Sequence, residues 1–205
     1  MNQVIETIAK RRSVRAYDPR PVPKDVIETV IEAGNQAPSS GMEDEETGEF
    51  VFQPWRFVVV EDPKFRQKLL EAALPVWRSA MEGMKEKHRE MYEQVMGQYE
   101  AMPEPRDMIY YSAPVILYVI GPAGSEVSCA LACENIMIAA TSLGLGSCYV
   151  GFGAMVTGDA EVAQALELRA EERIHGPILL GYPGDEEGAL ANIRPERRPP
   201  EIKWI

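Results

Sequence analysis

The sequence predicts an α+β fold in which helices cover a sheet, and three observations carry that expectation. Four short runs read as strands: 56–61, 114–120 and 177–182 are rich in valine, isoleucine or leucine, the composition of buried strands, and 147–152 is a shorter one. Between them lie single and paired stretches with helical apolar spacing, a pattern of mixed layers. The length of 205 residues, with 45% hydrophobic and 26% charged residues, suits one compact domain with a real core. No internal repeat or low-complexity tract suggests otherwise.

The elements follow in order. Val4, Ile5, Ile8 and Ala9 mark residues 2–11 as an amphipathic helix with a basic end. Pro23 suits a first helical position, Val26, Ile27, Val30 and Ile31 form the stripe, and Gly34 is expected to stop that second helix. Residues 35–55 look like loop, and 56–61 are the first strand. Asp62-Pro63 should cap a helix through Ala73, with a further long helix over 76–101 closed by Pro103 and Pro105. A second strand covers 114–120, and the helix over 127–143 is apolar nearly all round, so a central, buried place is expected. Residues 147–152 make a third strand, Asp159 caps a small helix through Leu166, and 177–182 make a fourth strand.

Charge narrows the function. The net charge of −11 argues against nucleic acid and against anionic membrane as partners. It is unevenly spread: residues 1–30 and 190–205 each carry a net +2, whereas 31–189 carry −15. Arginines held back at both ends of an acidic chain suit a small anion, and a merely solubilising surface is the simpler alternative. The polar start lacks the apolar core of a secretory signal, and three cysteines without a CxxC fit reduced thiols, so a cytoplasmic location is expected. Two distant histidines make a zinc site improbable.

The local motifs are individually modest. Arg11, Arg12, Ser13 and Arg15 cluster at the end of the first helix, and guanidinium forks pair with phosphoryl oxygens. A basic helix end complementing the macrodipole explains one or two of these arginines, but three less well. Arg197 and Arg198 could complete the same site if the termini meet, or be a solvated tail. Pro38, Ser39 and Ser40 offer hydroxyls and amides in a turn, although many such turns bind nothing. Gln53 could hydrogen-bond a planar, amide-rich ring, while Trp55 suits the core. The run Gly144 to Gly151 follows a helix and precedes a strand, the reverse of a dinucleotide fingerprint. Its small residues would let backbone approach something flat. Cys148 has no histidine near it in sequence and is expected to be an inert buried thiol. With no nucleophile, acid–base pair or metal set, the chain is either a binding protein or an enzyme whose cofactor does the work.

Taken in order, RRSVRAYDPRPVP, QAPSSGM, QPWRFVVVED, CENIMIAATSLGLGSCYVGF, GPILLGYPG and the terminal ERRPPEIKWI resemble the nitroreductase family across essentially the whole chain. The resemblance implies a single-domain α+β sandwich, with a central, mostly antiparallel sheet, forming a homodimer with FMN at the subunit interface. It implies that Arg11, Arg12, Ser13 and Arg15, joined by Arg198 and Arg197, hold the FMN phosphate and ribityl chain. Pro38, Ser39 and Ser40 would line the ring from the partner subunit. The 148–153 segment, with Cys148, Tyr149, Val150 and Gly151, would run along the ring with amides near its reducible edge. NADH or NADPH would deliver hydride to the flavin in a ping-pong reaction with a nitroaromatic, quinone or other small planar acceptor.

Two departures from the family pattern stand out. An acidic insertion at 41–52 lengthens the connection to Gln53, and the position before Gln53, where the family has an asparagine, is apolar. The insertion is expected to form a flap disfavouring anionic acceptors, which unchanged acceptor preference after deletion of 43–49 would refute. Residues 76–110 carry Met81, Met84, Met91, Met96, Met102 and Met108, either as a lid accepting bulky planar substrates or as a plain amphipathic helix. The tail at 190–205, ending Trp204-Ile205, is expected to reach a partner subunit or to dock on its own domain. Specialised flavin chemistry (dehalogenation, dehydrogenation or flavin breakdown) and flavin storage without turnover are the alternative functions.

Overall fold

The computed structural model describes residues 2–43, 47–184 and 196–205. Helix α1 (Gln3–Lys10) is capped by Asn2, whose side chain accepts from the Val4 amide at 2.8 Å. It buries no residue, and Val4, Ile5 and Ile8 stay 60%, 52% and 46% exposed. Helix α2 (Lys24–Asn35) runs one residue past Gly34, so that glycine is a packing residue and not the stop. A Cβ on Gly34 would lie 2.6 Å from Cγ1 of Ile136, which belongs to the long helix described below.

The region expected to be loop contains a small hairpin. Strands β1 (Met42–Glu43) and β2 (Phe50–Val51) pair antiparallel, and Phe52 meets Phe50 edge-on with centroids 5.3 Å apart. Strand β3 (Arg56–Val60) leads to α3 (Pro63–Met84), where Asp62 accepts from the Phe65 amide at 2.8 Å as expected. The predicted break after Ala73 does not occur. Pro75 removes one helical hydrogen bond and costs about 3 kcal/mol. The buried stripe Leu69, Leu70, Ala73, Trp77 and Met81 nevertheless continues across it at helical spacing, and each large apolar side chain so buried returns about 1.5–3 kcal/mol. The break falls later, before α4 (Arg89–Ala101).

Strand β4 (Val115–Pro122), helix α5 (Glu126–Ser142), strand β5 (Gly146–Tyr149), a 3-10 turn (Phe152–Ala154), helix α6 (Ala160–Ala165) and strands β6 (Glu172–Ile174) and β7 (Ile178–Gly181) complete the chain. The main sheet has the order β3-β4-β7-β5, with β6 beside the end of β4, and every pairing is antiparallel. Three-residue β6 is too short and too charged to announce itself by alternation. Its Glu172 is held instead by a long-range partner: Arg56 Nε and Nη2 donate to its two carboxylate oxygens at 2.8 and 2.7 Å. Arg56 Nη2 also reaches the Leu166 and Glu167 carbonyls.

β4 is buried on both faces, and its alternation divides the core. Ile116, Tyr118 and Ile120 pack with the α3 stripe, Tyr99 of α4 and Val162 of α6. Val115, Leu117 and Val119 pack with Ile27 and Val30 of α2 and with Cys129, Ala132 and Ile136 of α5. The result is an α+β sandwich, helices over both faces of an antiparallel sheet. α5 is only half as central as its composition suggests: Val127 and Leu131 remain 75% and 42% exposed. Among the described residues no helix is long and apolar enough to cross a membrane.

Candidate cofactor site

β5 uses one edge to pair with β7 and offers the other to the arginine-rich arm. Ser13 bridges Ser147 in parallel, and the Val14 amide donates to the Ser147 carbonyl at 2.9 Å. Buried Val14 anchors this arm. Arg11, Ser13 and Arg15 gather around Cys148: burial pushes that thiol up, opposed by the charge of Arg15, a hydrogen bond with Ser13 and the charge of Arg11. Arg11 is also 3.7 Å from Glu134 of α5. Arg12 is half-buried in the same arm. The fold therefore brings Arg11, Ser13 and Arg15 to the start of the 148–151 segment.

That segment alternates. Cys148 and Val150 are buried, while Tyr149 and Gly151 are exposed. The Cys148 thiol is buried, as its sequence context implied. The Val150 amide donates to the Pro177 carbonyl at 3.1 Å and is committed to the fold. The Tyr149 hydroxyl donates to the His175 carbonyl at 2.5 Å. One buried hydroxyl beside the Ser13 bridge, Ser147 Oγ, has no hydrogen-bond partner among the described residues.

Other expected residues lie apart. Pro38 and Ser40 are exposed, Ser39 is half-buried, and the Ser40 amide is 3.3 Å from Ser128 Oγ in the first turn of α5. No described contact joins this turn to the arginine arm. Gln53 Nε2 donates to the Asn35 carbonyl at 3.2 Å, and the Trp55 indole donates to Asn35 Oδ1 at 3.1 Å. Asn35, overlooked in the sequence, thus ties the residues before β3 to the end of α2. An asparagine at a helix end preceding the QAPSS turn was the available signal. Arg197 and Arg198 are exposed on the extended 196–205 segment, and no described contact joins them to Arg11–15; residues 185–195 lie outside the described residues.

The methionine-rich region turns much of its apolar surface inward. Trp77, Met81 and Tyr99 are core residues, with Met84, Tyr92, Met96 and Met108 packed against them, whereas Met91 is 47% exposed. α3 and α4 therefore have the packing of an amphipathic pair on the body.

The site thus sits on an α+β sandwich, an antiparallel sheet between helical layers with a basic arm laid along its edge strand. The chain matches the model of the Nitroreductase family over residues 8–182, and it belongs to that family. It is 27% identical over 187 residues to an Archaeoglobus fulgidus protein named "Putative NADH dehydrogenase/NAD(P)H nitroreductase", covering 91% of this chain and 89% of the relative. Among solved structures, a Bacteroides fragilis nitroreductase with bound FMN is 28% identical, with a TM-score of 0.68 and 96% of each chain covered. A Desulfitobacterium hafniense nitroreductase with bound FMN shares the fold at 22% identity, with a TM-score of 0.73 and coverage of 100% of this chain and 99% of the other.

Proposed function

We propose that this chain is an FMN-dependent oxidoreductase, using NADH or NADPH to reduce a small planar acceptor. The observation that carries the proposal is the convergence of Arg11, Ser13 and Arg15 on the edge of β5 beside the exposed residues Tyr149 and Gly151. Two guanidiniums and a hydroxyl suit a phosphate and a polyol chain, and the accessible 149–151 segment suits a ring. FMN held there would supply the redox chemistry, hydride transfer between a nicotinamide and a nitroaromatic, quinone or similar acceptor. The protein binds the phosphate through the arginine arm, orients the ring along 149–151 and offers backbone dipoles to charge developing on it.

The working form in this reading is a homodimer. α1 buries nothing, yet carries Val4, Ile5 and Ile8, and the adjoining α5 exposes Val127 and Leu131. The tail ends with Trp204 89% exposed. Such apolar surface suits a self-complementary interface, and the 38–40 turn and the tail arginines would then serve the partner's site. The test is an anaerobic titration of the FMN-loaded protein with NADH and NADPH in turn, followed by a nitroaromatic or a quinone. Bleaching of the flavin bands by either nucleotide and their return on adding acceptor are expected. A bound flavin that neither nucleotide reduces would refute the enzyme reading and leave a flavin-binding protein.

A further inference from the structure

The turn before β4 has an unusual build. Asp107, 6% exposed, spends its carboxylate on backbone: Oδ1 accepts from the Ile109 and Tyr110 amides at 3.0 and 2.6 Å, and Oδ2 from the Ser112 amide at 2.8 Å. Tyr111 and Ser112 are held at φ of 51° and 53°, the left-handed region that side chains rarely adopt. This conformation sends two consecutive tyrosines to two parts of the cofactor site.

Tyr110, 2% exposed, reaches the ring-facing loop. Its hydroxyl oxygen is 3.0 Å from the Gly153 carbonyl oxygen, and that of Tyr118 on β4 is 3.3 Å from the same atom. The two hydroxyls are 3.2 Å from each other. The fit is close, since a Cβ on Gly153 would lie 2.8 Å from Tyr110 Cε1. Burial raises both phenols, so they stay neutral and able to donate. Tyr111 reaches the arginine arm: the Arg15 guanidinium lies 6.0 Å from its ring centroid, and Cys148 is also among its neighbours.

We propose that the Asp107-held turn is a positioning device, in which Tyr110 with Tyr118 fixes the backbone of 151–153 and Tyr111 fixes the Arg15 guanidinium. This rests on the reading of the site as a flavin site. These tyrosines are positioning residues: they act through Gly153 and Arg15.

Titration of apoprotein with FMN, followed by quenching of flavin fluorescence, tests the proposal together with visible spectra and apoprotein melting curves. Tyr111→Leu should weaken FMN binding about fivefold, with Tyr111→Phe restoring most of it, because the ring face remains for the cation and only the hydroxyl's hydrogen bond with Arg15 is lost. Tyr110→Phe, alone and with Tyr118→Phe, should shift the visible bands of bound flavin by loosening the loop beside it. Unchanged affinity in Tyr111→Leu and unchanged bands in Tyr110→Phe would make the turn purely structural and overturn the inference. So would affinity losses that Tyr111→Phe does not rescue. Should Tyr111→Leu fail to fold, the hydroxyl-deletion spectra of Tyr110→Phe decide. Wild-type protein that takes up no FMN would overturn the flavin reading itself, and this inference with it.

Discussion

The two sides of α5 have much the same apolar character and opposite fates. On the inner side Cys129, Ala132, Cys133, Ile136 and Ala140 are at most 1% exposed, packed on the sheet and α2. On the outer side Val127 and Leu131 remain open, next to an α1 that buries nothing. The candidate site divides in the same way. The arginine arm, β5 and the 149–153 loop are packed together within one chain, while Pro38, Ser40 and the tail arginines sit exposed, with no described contact to that arm. One side of the chain is thus finished by its own packing, whereas the other leaves apolar side chains exposed.

The sharpest way to break this comparison is on the finished side. Replacing both Arg11 and Arg15 by alanine should weaken FMN binding at least about a hundredfold, since hydrogen bonds to charged groups are worth about 1.5–3 kcal/mol each. The melting temperature of the apoprotein should hardly move, which separates a binding role from a folding one. On the open side, Val4→Asp with Ile8→Asp should raise the dimer dissociation constant by about a hundredfold, because an interface cannot bury unpaired carboxylates. Light scattering across a dilution series would read it, and unchanged mass would exclude α1 from the interface.

A smaller effect separates structural charge from functional charge. Arg56 hydrogen-bonds Glu172 and thereby holds its carboxyl below the usual range. Glu172→Gln should cost about 2 kcal/mol at neutral pH. The sign follows from the lowered value: the contribution is present above the ordinary carboxylate pKa and is lost as pH falls through the folded one. Melting curves of the two proteins should therefore draw together only as the pH falls below the ordinary carboxylate range. The smallest effect is on the thiols. Burial raises all three, with Cys133 pushed up to about 12, so a thiol reagent at neutral pH should leave the native protein nearly unreacted and label it on unfolding. Rapid labelling of a native thiol would contradict the buried side of the comparison.

Much of this was legible in the sequence because local patterns and core packing agree. The four main strands and α1, α2 and α5 announce themselves through spacing, proline and capping residues. Asp62 caps where it was expected to, and Gly144 sits at φ 77° just past α5. The failures have physical causes. Two helices were expected where α3 runs unbroken through Pro75, because the cost of a proline is local whereas the stripe that overrides it is tertiary. β6 and the β1–β2 hairpin consist of strands two or three residues long, below the length at which alternation shows. The arginine arm could be proposed from composition, but its seat along β5 depends on a bridge between residues 13 and 147 that no window contains. Tyr110, Tyr111 and Tyr118 were missed because their roles lie in contacts with Gly153 and Arg15, far away in sequence.

The most direct test of the central claim is the visible spectrum of the purified protein, followed by heat release and identification of any chromophore. Flavin bands with FMN recovered at about one per chain are the predicted result, since each chain carries one arginine arm. A colourless protein that also fails to take up added FMN would contradict the account, leaving the fold intact and the arginine arm without the ligand assigned to it.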